Sequence, residues 1–68
     1  MLPPWEKYPE LPKGRIGWRM GYGEDYMNAF WKWFSKLPDN EKDAYEQTSP
    51  EPEGWTGFYG RIRANPWL

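Results

Sequence analysis

The chain has 68 residues, with 6 Trp, 5 Tyr, 3 Phe and 8 Pro, no Cys, no His and a formal net charge of −1. A chain this short is a single domain at most, and without Cys or His it has no disulfide, thiolate zinc site or imidazole ligand to hold it together. Stability must come from aromatic burial, about 150–250 Å² removed from water per ring, and the near-neutral charge argues against a general nucleic-acid binder.

Residues 1–13, MLPPWEKYPELPK, hold four prolines. A residue before proline is pushed toward extended conformations, so an extended arm is expected. Leu2, Trp5, Tyr8 and Leu11 recur every three residues, as along one face of a polyproline helix. Residues 14–23, GRIGWRMGYG, read as a glycine-rich loop, with a short strand at 15–20 as an alternative.

Residues 24–37 form the clearest helix. Tyr26, Met27, Phe30, Trp31, Trp33, Phe34 and Leu37 fall within an arc of roughly 160° at helical spacing. Glu24 and Asp25 suit its first turn, and Pro38 ends it. Residues 39–47, DNEKDAYEQ, predict a second, polar helix with Asp39 as its N-cap and Tyr45 facing the first helix. After the loop 48–54, Trp55, Phe58, Tyr59 and Ile62 stand at i, i+3, i+4 and i+7, which predicts a third helix over 55–64. Gly57 and Gly60 weaken it, and the alternative is a strand at 58–63 pairing with 15–20. The core is expected at Phe30, Trp31, Phe34 and Leu37, with Trp55 and Phe58 against them. Trp5 and Trp67 are expected to pin the two ends.

The fold expectation is therefore a small all-α domain. Two to three short helices are wrapped by an extended arm rich in Pro and Trp, with a minor two-stranded pairing as the variant.

Several chemistries fail on residue type. The glycine loop lacks the Lys and Ser or Thr of a phosphate loop, and Glu24 and Asp25 would repel phosphate. Adjacent carboxylates at 24 and 25 face different sides of a helix, and no hydroxyl has an evident base. DNEKD lacks the glycine of a calcium loop. The expectation is a chain that is not an enzyme and takes no metal or cofactor.

No stretch is long enough to cross a membrane, and MLPPWEKYPE has no apolar signal-peptide core, so a cytoplasmic chain is expected. The main helix resembles a membrane-surface helix in composition, but its apolar face is needed for folding.

Charge is divided along the chain. Residues 24–53 carry eight carboxylates against three cations, whereas all four arginines lie in the flanks. Those flanks combine arginine with aromatic residues: Arg15, Trp18, Arg19 and Tyr22 in one, Arg61 and Arg63 in the other. Trp, Tyr and Arg dominate protein-binding hot spots, and the same types stack on single-stranded bases. These six are the candidate binding residues. The expected function is a non-catalytic protein-binding module, of the adaptor, inhibitor or immunity type, with a partner of acidic or mixed surface. Single-stranded nucleic acid or nucleotide binding is the alternative. The competing structural role for the arginines is pairing with the acidic second helix.

Overall fold

The computed structural model describes residues 1–11, 18 and 21–67. Four helices follow in order: α1 over Pro4–Lys7, α2 over Gly21–Ser35, α3 over Asp39–Thr48 and α4 over Phe58–Ala64. The fold is small and all-α, and no strand occurs among the described residues. The strand alternative at 58–63 is thereby overturned, because those residues make up α4. Of the proposed partner segment 15–20, only Trp18 lies within the described residues.

The expected extended arm contains a turn of helix instead. Proline fixes φ near −65°, a value shared by extended and helical backbone, so ψ decides between them. Pro3 is extended, with ψ 154°, and Pro4 begins the helix. The amides of Glu6 and Lys7 then donate to the Pro3 carbonyl and that of Tyr8 to the Pro4 carbonyl. The three-residue stripe holds in part: Trp5, Tyr8 and Leu11 pack against the core, but Leu2 is exposed.

Helix α2 begins three residues earlier than expected, at Gly21, inside the glycine-rich stretch. It ends at Ser35, where tight turns bring the Lys36 and Leu37 amides to the Trp33 and Phe34 carbonyls. The Lys42 ammonium donates to the carbonyls of Ser35 and Leu37, giving orphan acceptors at that end a cationic partner. Pro38, not Asp39, is the N-cap of α3. Asp39 and Glu41 lie in its first turn, where the helix dipole favours negative charge. Helix α3 contributes no buried residue and covers the core through Tyr45.

Helix α4 is shorter than expected. Trp55 lies in the preceding turn, whose exit needs Gly57 at φ 86°, a left-handed conformation that strains other residues. Glu51 completes the start of α4: its carboxylate accepts the amides of Gly57 at 2.9 Å and Tyr59 at 2.7 Å.

The core consists of Trp18, Phe30, Phe34, Trp55, Phe58, Tyr59 and Ile62. Its rings meet as stacked and edge-on pairs, for example Phe30 on Phe58 at 5.9 Å and Trp55 edge-on to Phe58 at 5.2 Å. Such pairs add about 0.5–1.5 kcal/mol each beyond the area they bury. Trp31 and Leu37, expected in the core, are only partly buried at its edge.

Candidate binding surface

The six candidate residues do not form one site. Arg15 and Arg19 lie outside the described residues. Trp18 is buried at 8% exposure, its ring edge-on to Trp55 at 5.4 Å and its indole N–H donating to the Leu11 carbonyl at 2.6 Å. It is core, which corrects its assignment to the binding surface. Arg63 is engaged by α3: its guanidinium lies 2.7 Å from both Asp43 and Glu46. The hydrogen bond it donates to Glu46, with that to Asp43, strengthens its charged form. Arg63 therefore fills the structural role of pairing with the acidic helix. Arg61 is exposed on α4, and Tyr22 is exposed on the first turn of α2.

Tyr22 belongs to a tyrosine cluster that the sequence reading missed. Its ring meets Tyr8 edge-on at 4.6 Å, and Tyr8 meets Tyr26 edge-on at 5.6 Å. Tyr22 and Tyr26 are one helical turn apart, which places them on the same side of α2. The single turn of α1 carries Lys7 and Tyr8 onto that side. The Lys7 ammonium sits 5.7 Å from the Tyr8 ring and 5.8 Å from the Tyr26 ring. The Tyr22 hydroxyl donates to the Glu10 carboxylate at 3.1 Å, and this bond raises the phenol above its ordinary pKa.

Residues 1 and 2 extend the cluster. The Tyr26 hydroxyl donates to the Leu2 carbonyl, and the Tyr45 hydroxyl to the Met1 carbonyl at 2.8 Å. With their carbonyls tied down, the Met1 and Leu2 side chains remain 48% and 52% exposed. Tyr22 is 51% exposed. The result is a ridge running from Met1 and Leu2 over Tyr26 and Tyr8 to Tyr22, with Lys7 and Glu10 along it. The i, i+4 pair of tyrosines at 22 and 26 was the available sequence signal, but it required α2 to begin at Gly21.

Trp67, 41% exposed, is the other large exposed apolar side chain among the described residues. It lies toward the opposite end of α2, where the Lys32 ammonium sits 4.6 Å from its ring and its amide donates to the Ser35 hydroxyl at 3.1 Å. The tail is anchored there, but the indole is not buried. Beside it, the Trp31 indole N–H donates to the Asn65 carbonyl at 2.7 Å.

Among the described residues no three His, Cys, Asp or Glu side chains gather where a metal ion would be held, and no charged side chain is buried. No helix of the described residues is long and apolar enough to cross a membrane. Compared with known protein families, curated proteins and solved structures, the chain matches none.

Proposed function

We propose that the chain is a non-catalytic protein-binding module and that the ridge of Met1, Leu2, Lys7, Tyr8, Tyr22 and Tyr26 is its binding surface. One observation carries this reading. Among the described residues, three of the four large exposed apolar side chains, Met1, Leu2 and Tyr22, are joined by packed tyrosines into one patch. Scattered exposed apolar residues are ordinary, whereas a contiguous patch marks a contact surface. Tyr and Met are enriched at protein interfaces, and tyrosine offers a large rigid contact with few rotatable bonds. Lys7 and Glu10 supply a polar rim of both signs, which suits a partner of mixed surface with a carboxylate opposite Lys7. A contact surface of this kind fits an adaptor, inhibitor or immunity-type protein. A cytoplasmic setting belongs to the same reading, because a cysteine-free chain folds in a reducing compartment as readily as elsewhere.

The test is affinity capture from the native host with the wild-type chain and with the double variant Leu2→Ser, Tyr22→Ala. A protein retained by wild type and lost with the variant, at unchanged circular dichroism, supports the reading. Identical captured sets overturn it. Capture of nucleic acid alone, weakening steeply with salt, also overturns it.

A further inference from the structure

The ridge carries one charge of each sign, and the two stand toward opposite ends of its tyrosine row. At one end the Lys7 ammonium lies against the Tyr8 and Tyr26 rings. At the other the Glu10 carboxylate accepts the Tyr22 hydroxyl. Both charged residues are exposed. Among the described residues, neither is in an ion pair within the chain. The exposed apolar groups are divided in the same way. Met1 and Leu2 lie beyond Tyr26, their carbonyls held by the Tyr45 and Tyr26 hydroxyls, and Tyr22 closes the far end.

A surface with this pattern is complementary to itself when turned through a half-rotation. In a two-fold contact, if one residue of the first chain meets another of the second, the reverse contact is made as well. A ridge positive toward one end and negative toward the other therefore pairs head to tail with its copy. Lys7 of each chain meets Glu10 of the other, and Leu2 of each packs on Tyr22 of the other. The parallel arrangement would set like charges against each other, which costs affinity. Apolar and aromatic side chains, which the ridge supplies, are enriched at the contacts of homodimers. The formal net charge of −1 leaves little repulsion between two copies.

We infer that the partner of the ridge is a second copy of this chain, docked about a two-fold axis that sets Lys7 of each copy against Glu10 of the other. The inference rests on the reading of the ridge as a contact surface and names its occupant. The ridge is small beside the roughly 20–30 residues a side of a standard interface, so the dimer is weak and depends on concentration.

The test is the oligomeric state of the full-length chain, followed by sedimentation from about 10 μM to about 1 mM. Wild type is expected to pass from monomer to dimer across this range. Lys7→Glu and Glu10→Lys each place like charges opposite one another, and each variant is expected to dimerise about tenfold or more weakly. An equimolar mixture of the two variants regains both opposite-charge pairs in the heterodimer and is expected to recover the wild-type affinity. A wild-type chain that stays monomeric at about 1 mM overturns the inference. So does a dimer indifferent to both substitutions, or a mixture that associates no more tightly than its components. A second measurement needs no variant. On dilution of the isotope-labelled wild-type chain, the Leu2 methyl and Tyr22 ring signals shift while the Trp67 indole signal stays fixed. Shifts absent from Leu2 and Tyr22 overturn the inference whether or not the variants fold. A monomeric chain whose ridge still captures a different host protein removes the second copy and keeps the contact surface. A monomeric chain whose ridge captures nothing removes both.

Discussion

The rings of Phe34 and Tyr59 lie 5.3 Å apart and 26° from parallel, joining the last turn of α2 to the first turn of α4. Phe34 is fully buried, and Tyr59 spends its hydroxyl on the Ser49 carbonyl at the end of α3. This pair holds three helices together in a chain with no covalent cross-link. Tyr59 also meets the Trp5 ring at 5.7 Å, which ties the N-terminal segment to the same pair.

Phe34→Ala removes one ring of that pair. Truncating a buried phenylalanine costs about 3–5 kcal/mol, comparable to the whole stability of a small domain. The expected outcome is an unfolded or barely folded chain by circular dichroism. A melting temperature within a degree or two of wild type would contradict the packing described.

Glu51 is the second anchor of α4, since its carboxylate accepts two amides at the helix start. Loss of a side-chain cap costs about 0.5–2 kcal/mol. Glu51→Ala is expected to destabilise the chain by about that amount in urea unfolding. Glu51→Gln keeps one acceptor oxygen and falls between the variant and wild type. Equal stability of all three would remove Glu51 from the account of α4.

Burial pushes the phenols of Tyr45 and Tyr59 well above their ordinary range. Their folded-state values exceed the unfolded value of about 10, so the neutral phenols favour the folded state. That contribution is complete below about pH 10 and is lost as pH rises toward the folded values. A thermal-melt series is expected to be flat in this respect up to about pH 10 and to decline beyond it. Absorbance of the ionised phenol at these two positions should rise together with unfolding. Titration of both tyrosines in a chain that stays folded would contradict their burial.

Helices α2 and α3 and the spacing of Trp55, Phe58, Tyr59 and Ile62 were legible because local periodicity and burial agree there. Four features were not. The turn of α1 was hidden because proline's φ serves extended and helical backbone alike. Gly23 opposes helix by about 1 kcal/mol, while Gly21 starts α2 from φ 69°, a conformation that favours glycine. Packing of Tyr22 and Tyr26 on Tyr8 outweighs that cost, a contact between segments far apart in the chain. Trp18 looked free among glycines, and contacts with Tyr8, Leu11 and, 37 residues on, Trp55 make it core. Arg63 was half legible: the acidic helix was recognised as a possible partner, but helical register selected Arg63 for Asp43 and Glu46. The ridge itself escaped because it depends on the early start of α2 and on the two carbonyl anchors of residues 1 and 2.

The central claim is that the tyrosine ridge, and not the exposed Trp67 indole, is the binding surface. It is tested most directly by the affinity of a captured partner for two full-length variants. Leu2→Ser with Tyr22→Ala alters the ridge, and Trp67→Ala alters the far end of α2. Binding is expected to fall about tenfold or more for the first, the effect of a hot spot worth about 2 kcal/mol, and to stay near wild type for the second. Both chains should keep the wild-type circular dichroism spectrum. Full affinity in the ridge variant with loss in Trp67→Ala would contradict the account.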